Sequence, residues 1–478
     1  MSDPSTPSVT PAPSLAAGGR AILWAQVAKL FLRLGSAAVL ARLLTPDAYG
    51  LHGMAVALYG FLYMVRDLGV FTAVQQPGLT PQRFNALCRL ALAGGLALTV
   101  VCVLLGPPAA WFFDEPRVTL VLAGLAGAFV IGGFAGPPMA LLYREQRIPT
   151  VMIIEVAATL VSILLAVVAA AAGWGVWALV SMAATYELTV AVAAWWRCPW
   201  PLQRDTAGTE WRKLLGLGAN LTGHGIAAYF ARTVDQIIAG YGHGATGLGY
   251  YGRGAQATTT TMMLAVASFN AWAIALLARC HESGAEFAAT FRRLLNGVMH
   301  LVLPPAVVCL VAPDFVVRVL YGEQWLPATN VVRWLGLALV AQPLVFAQMW
   351  LLQSTAQARR LFQASALGLF AVTAAGLVAQ RNGLAALAAA TAAGTFVHAA
   401  AGLGLCLGRT PVHARDMFEP LTGPLLLHGG LWLALTALRA GGAGDWWLPP
   451  AAAGYYALAW LAVPAVRREW RGHFLIQA

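Results

Sequence analysis

The sequence predicts an all-α membrane protein with about fourteen transmembrane helices. Hydrophobic residues make up 59% of the 478 and charged residues only 10%, whereas a soluble domain carries about 25% charged residues. A chain this poor in charge cannot cover a water-facing surface, so lipid must cover it. The 17 tryptophans suit anchoring at two membrane–water interfaces. The 49 glycines and 26 prolines would weaken soluble helices, but a bilayer tolerates them because neighbouring helices re-satisfy the freed backbone groups.

A spanning helix needs roughly 20 mostly apolar residues. Such stretches begin near Ala21, Tyr49, Phe84, Val118, Val151, Gly175, Leu214, Leu248, Thr290, Thr329, Leu361, Gly383, Glu419 and Trp446. The residues before them, Met1 to about Gly18, are rich in Ser, Pro, Thr and Ala and read as a disordered cytoplasmic tail. No cleavable signal peptide fits, because the first apolar stretch is too long and carries Lys29 and Arg33. With the N-terminus inside, most of the 30 lysines and arginines face the cytoplasm. Only Arg42, Arg117, Arg318, Arg381 and Arg439 fall on outside loops, the asymmetry that the positive-inside rule demands. Both termini are then cytoplasmic, and no outside loop is long enough for an extracytoplasmic domain.

The two halves look related. Leu43 to Gly50, leading into span 2, is matched by Gly244 to Tyr251 leading into span 8, and Gly173 to Leu179 at span 6 by Asn382 to Leu387 at span 12. Both matches lie about 200 residues apart, and six spans plus six gives parallel repeats, a plan many transporters share. The expected organisation is a tail over 1–18, an N-lobe of spans 1–6 over 19–205, a C-lobe of spans 7–12 over 206–410, and spans 13–14 with a cytoplasmic C-terminus over 411–478.

The net charge of +11 does not indicate nucleic acid, because the basic residues form no patch or run. The six cysteines have no CxxC spacing and sit in or beside apolar segments, so they read as packing residues with no disulfide and no metal site. There is no GxxxxGK[ST] run for ATP and no HExxH. No cofactor is expected. An enzyme such as a polymerase or ligase would need a large polar outside loop, and none is present.

Charges inside the spans are the informative feature. Span 1 carries Gln26, Lys29, Arg33 and Ser36 on one helical face. Span 2 carries Tyr59, Tyr63 and Arg66, followed by Asp67. Span 7 carries Asn220, His224, Arg232 and Asp235, and span 8 carries Arg253, Gln256 and Thr260. A basic residue at the bilayer centre costs about 2.5–3.5 kcal/mol, so Lys29, Arg33, Arg66, Arg232 and Arg253 facing lipid would together cost on the order of 10–15 kcal/mol. That rivals a whole protein's net stability of about 5–15 kcal/mol. These residues must face water or partners, and the simplest arrangement is a central hydrated cavity between the two lobes, cationic on balance. Alternatives stay open for several of them. Arg66 has Asp67 beside it, Arg232 and Asp235 can neutralise each other at i and i+3, and Glu155 and Glu187 in spans 5 and 6 can pair with arginines or titrate. His224 reads best as a helix contact, and Arg333 as a snorkelling side chain. Lys29 and Arg33 have no acid in their own span. A cationic cavity suits an anion, since arginine grips phosphate with two parallel hydrogen bonds. Any ion coupling would draw on Asp67, Asp235, Glu155 and Glu187.

The chain resembles the Wzx-like polysaccharide flippases of the colanic-acid-exporter type, within the superfamily of multidrug, oligosaccharidyl-lipid and polysaccharide exporters. The carrying segments are Leu40 to Gly50, Arg66 to Gly69 with Gln75, Gly173 to Val180, Gly216 to Gly223, Tyr229 to Asp235, Leu248 to Arg253, and Leu320 to Trp325. The resemblance covers about residues 20–400. Ala275 to Arg279 replaces the family's Pro-Ala-Leu-Ser-Arg pattern, and Ala356-Gln357 its Gly-Arg turn. It implies a fourteen-helix, two-lobed fold in a bacterial inner membrane and alternating access. It also implies export of undecaprenyl-diphosphate-linked oligosaccharide repeat units to the periplasmic leaflet, with polysaccharide polymerase or assembly proteins as partners. By motif position, substrate and coupling roles fall on Arg66, Asp67, Arg232, Asp235 and Arg253. The rival reading is an ion-coupled drug or metabolite antiporter of the same superfamily.

Overall fold

The computed structural model describes residues 15–66, 70–200, 211–280 and 283–462, and among them all regular structure is helical. The helices are α1 Leu15–Leu43, α2 Pro46–Val65, α3 Val70–Gln75, α4 Pro81–Leu104, α5 Gly106–Phe113, α6 Arg117–Arg144, α7 Ile148–Ala171 and α8 Val176–Arg197. After them come α9 Trp211–Arg279, α10 Gly284–Val311, α11 Pro313–Leu320, α12 Thr329–Ser354, α13 Ala358–Ala379, α14 Leu384–Cys406, α15 Ala414–Ala440 and α16 Leu448–Ala462. Among the described residues, ten helices are long and apolar enough to cross a membrane. α1, α9 and α16, on which the first, seventh, eighth and last expected spans fall, are not among those ten. The expected tail lies almost entirely outside the described residues, as do the side chains of Asn220 and His224.

The chain divides into two compact units, Met1–Ile226 and Ala227–Ala478. Local chemistry explains several boundaries. Thr45 and Thr80 sit in extended backbone and accept the N–H of Ala48 and Arg83, each followed by a proline at the first helical turn, where a missing N–H does no harm. α9 is broken at Gly244, whose φ of +65° suits a residue without Cβ. This is the segment the sequence places between spans 7 and 8.

In the first unit α4 packs on α6, α6 on α8, α7 on α8, and α1 on α7. The second unit repeats three of these pairings in chain order, with α10 on α12, α12 on α14 and α13 on α14. α4 and α6 approach closely because both offer glycine at the crossing. A Cβ on Gly95 would lie 2.5 Å from the Phe129 carbonyl oxygen, and one on Gly133 would lie 2.5 Å from that of Ala91, the small-residue contact by which membrane helices gain packing energy. α15 packs on α10 and carries α16 with it, around Val307, Val311, Leu431, Leu435 and Leu448.

Prolines inside spans release carbonyls, and side chains from neighbouring helices collect them. Pro138 removes the N–H that would bond to the Phe134 carbonyl, and the Trp195 indole donates to it at 2.9 Å. Pro424 does the same to the Pro420 carbonyl, which accepts from the Asn296 amide at 3.2 Å. Large apolar side chains such as Phe31, Leu104, Val168, Phe370 and Leu426 stand exposed on helix flanks, and Trp111, Trp174, Trp196 and Trp446 at helix ends. These positions suit acyl chains and membrane interfaces respectively.

Candidate functional site

The site forms in the first unit where α2 stops. The helix ends at Val65, Arg66 caps it with its N–H bonded to the Tyr63 carbonyl, and a new short helix begins at Val70. Asp67, expected beside it as a coupling acid, lies outside the described residues. The C-terminal end of α2 borders a cavity of about 370 Å³ lined by residues of α2, α3, α4, α6, α7 and α8. α6 contributes its glycine- and proline-rich stretch, and a Cβ on Gly132 would collide with the Arg66 guanidinium, so that helix must be bare to admit it.

Two ion pairs define the electrostatics. Arg66 Nη1 donates to Glu187 Oε1 at 2.5 Å, and the Tyr63 hydroxyl donates to the same oxygen at 3.2 Å. The guanidinium also lies 4.1 Å from the Tyr63 ring centre, a favourable placement of a cation on a π face. Lys29 Nζ donates to Glu155 Oε2 at 2.6 Å, and Tyr143 donates to Glu155 Oε1 at 3.1 Å. The acid that span 1 lacks therefore comes from α7, which packs on α1 around Ala25, Val151, Ile154 and Ala158. Burying these charges singly would be costly; paired and hydrogen-bonded, they are tolerable. Lys29 and Arg66, expected as cavity cations for an anion, are each held by a carboxylate, and Glu187, expected either to pair with an arginine or to titrate, holds Arg66.

Arg33, one turn beyond Lys29, is different. It is exposed, and among the described residues no carboxylate lies within ion-pair distance of it. The cavity lies toward the basic ends of α6, α7 and α8, which carry Arg144, Arg147 and Arg197. Glu187 is ten residues from the end of α8, roughly 15 Å at 1.5 Å per residue.

The other expected residues fall in the second unit. The Asp235 carboxylate accepts the Tyr251 hydroxyl at 2.9 Å and the Gln236 N–H at 2.9 Å. Tyr251 is in turn 3.1 Å from the Thr391 hydroxyl. Arg232 is exposed, and Arg253 lies 5.9 Å from the Tyr321 ring centre. Among the described residues, no group of three His, Cys, Asp or Glu could hold a metal ion.

Each unit also carries an ionic clamp at a helix end. Arg117 holds Asp47 at 2.8 and 2.9 Å and Glu115 at 2.7 Å, and the Arg117 hydrogen bonds keep the Glu115 carboxyl below the usual carboxylate range. Arg439 holds Asp314 at 2.6 and 2.5 Å, Asp445 at 3.4 Å and the Val311 carbonyl. Partial burial would raise Asp314, but its hydrogen bonds to Arg439 prevail and hold it low.

Sequence reasoning missed Tyr143, Tyr186 and the glycine–proline stretch of α6 as parts of the site. A tyrosine in an apolar span looks like packing, and no local spacing signals which helices will face each other. The nearest signal is the clustering of Gly132, Gly133, Gly136, Pro137 and Pro138 in one span.

Solved structures share this fold. The lipid II flippase MurJ, in an inward closed conformation, is similar with a TM-score of 0.70 over 93% of this chain and 97% of that one, at 9% identity. A multidrug resistance MATE family transporter of the MOP superfamily, inward-facing, is similar with a TM-score of 0.61 over 79% of this chain and 93% of that one, at 14% identity. A MATE transporter of Vibrio cholerae gives a TM-score of 0.52 over 82% and 95% of the two chains, at 12% identity. No curated protein matches by sequence. Residues 39–330, from the last turn of α1 to the start of α12, match the polysaccharide biosynthesis protein family, and the chain belongs to that family.

Proposed function

We propose that this chain is a flippase that carries undecaprenyl-diphosphate-linked oligosaccharide repeat units from the cytoplasmic to the periplasmic leaflet of a bacterial inner membrane. These units would feed surface or exported polysaccharide assembly. Family membership supports a role in polysaccharide synthesis, and the fold, a membrane transporter's, supports transport and not bond chemistry. The observation that carries the reading is Arg33 on α1, an exposed guanidinium with no carboxylate partner among the described residues. With α1 as the first span that the sequence predicts, this guanidinium would cost about 2.5–3.5 kcal/mol against lipid, which an anionic ligand offsets. A diphosphate headgroup is such a ligand. Alternating access then requires that headgroup or ion bind the two states with different affinity. The buried carboxylate of Asp235, with Glu155, Glu187 and Asp67, are the groups on which an ion gradient would act.

Deleting the gene in its native host and measuring surface polysaccharide together with lipid-linked intermediates tests the reading. Loss of polymer with accumulation of complete lipid-linked repeat units at the inner leaflet is expected. Unchanged polymer with acquired sensitivity to cationic dyes would replace it by the antiporter reading.

A further inference from the structure

We infer that the cavity of the first unit is a glycan subsite, which takes the sugar next to the diphosphate while the diphosphate itself stays outside with Arg33. This rests on the flippase reading and adds where the two chemically different parts of the headgroup go.

Charge is the first argument. Among the described residues, the cavity region holds two acids, Glu155 and Glu187, and two bases, Lys29 and Arg66, joined in pairs. It is balanced. A diphosphate placed there would meet two carboxylates as well as two cations already engaged, so an anion gains little. A neutral, hydroxyl-rich group has no such conflict.

The second argument is hydrogen-bond accounting. An ionised carboxylate offers about four acceptor sites. Glu187 commits Oε1 to both Arg66 and Tyr63. Oε2 has no protein hydrogen-bond partner, although the side chain is only 6% exposed. A carboxylate oxygen left open in a cavity wall inside a membrane unit calls for a donor, and sugar hydroxyls are donors.

The third argument is shape. Tyr63, Tyr143 and Tyr186 line the same space, and tyrosine rings pack on the apolar faces of sugars. The volume of about 370 Å³ falls in the roughly 300–1,000 Å³ range of small-molecule pockets. Arg33 stands one helical turn along α1 from Lys29, whose ammonium holds the cavity-lining Glu155, so a diphosphate on Arg33 would have its first sugar near the cavity wall.

The structure also supplies a test that leaves both ion pairs in place. Gly136 lines the cavity, and a Cβ there meets nothing within 4 Å, so Gly136→Leu fills the space. Tyr186→Ala removes one wall instead. The full chain in lipid nanodiscs is titrated with undecaprenyl diphosphate and with undecaprenyl diphosphate carrying glucose, galactose or N-acetylglucosamine, read by native mass spectrometry. At least one sugar-bearing lipid is expected to bind on the order of tenfold tighter than the bare diphosphate, the worth of one or two net hydrogen bonds. That preference falls to within about twofold in each variant, while Arg33→Ala weakens every probe alike. If the unsubstituted chain binds all probes equally, or if both variants keep the preference, the glycan subsite is wrong and the flippase reading survives. If the unsubstituted chain binds none of them, the flippase reading itself is wrong. Gly136→Leu is checked for folding by its thermal transition, and Tyr186→Ala decides alone if that variant unfolds.

Discussion

The Arg66–Glu187 pair makes a quantitative prediction. Glu187 is 6% and Arg66 22% exposed at the side chain, and they meet at 2.5 Å. Glu187→Leu would strand a guanidinium against the wall of α6. Breaking a buried pair by removing one partner costs about 3–5 kcal/mol. Arg66 keeps some hydration through the cavity and keeps the Tyr63 ring at 4.1 Å, which is worth about 1–2 kcal/mol when desolvated. The expected loss is therefore near the lower bound, about 3 kcal/mol. Arg66→Met strands the Glu187 carboxylate with only the Tyr63 hydroxyl, and about 3–4 kcal/mol is expected. The double variant removes both charges and should return to within about 1 kcal/mol of the parent, a coupling of about 5–7 kcal/mol. Unfolding in mixed detergent micelles, followed by tryptophan fluorescence, measures all four corners of the cycle. Single losses that simply add in the double variant would refute the claim that the two residues stabilise the site as a pair. Polymer export by the same variants separates stability from use: the stable double variant should fail to export, and normal export would reduce the pair to structural glue.

Further predictions address other parts of the account. Arg33→Ala and Arg253→Ala should abolish polymer export while membrane insertion and folding remain normal; Arg33→Lys should export partially, because lysine keeps the charge without the fork. Trp195→Phe should destabilise the first unit by about 1–3 kcal/mol by stranding the carbonyl that Pro138 releases, with little change in substrate binding. Gly95→Val should lower the unfolding midpoint by an overpacking cost of about 1–3 kcal/mol, since its Cβ would press on the Phe129 carbonyl. The Asp314 carboxyl is depressed by its bonds to Arg439, so this contact stabilises above the unfolded carboxylate value and is lost as pH falls through the lower folded one. Hydrogen exchange at the end of α15 should rise below about pH 4, and Arg439→Gln should raise it at neutral pH and flatten the dependence.

Helices and charged stripes were legible in the sequence because each rests on local spacing. Lys29 and Arg33 share a face by their four-residue separation alone, and Thr45-Pro46 announces the start of α2. The partners were not legible, because they are set by which helices meet. Lys29 finds Glu155 across 126 positions and Arg66 finds Glu187 across 121, and no spacing rule relates them. The adjacent Asp67 was the local candidate, and the distant Glu187 is the partner observed. The same limit bears on charge: five bases on four spans suggested a cationic cavity between the lobes, whereas inside the first unit Lys29 and Arg66 are each paired with a glutamate. Sequence counts charges along the chain, and neutralisation happens between helices. Asp235 shows the same limit. Its neighbour three residues back is Arg232, and the carboxylate accepts from Tyr251 and its own helix backbone.

The central claim, movement of a lipid-linked glycan with its headgroup held at Arg33, is tested most directly by reconstitution. Purified chain is placed in vesicles containing sugar-bearing undecaprenyl diphosphate, and the sugar is trapped from outside with a membrane-impermeant glycosyltransferase. With the unsubstituted chain, the trapped fraction should rise from the outer-leaflet share to nearly all of the lipid, and Arg33→Ala should hold it at the outer-leaflet share. Trapping that stops at that share with the unsubstituted chain, or proceeds equally with Arg33→Ala, would contradict the account.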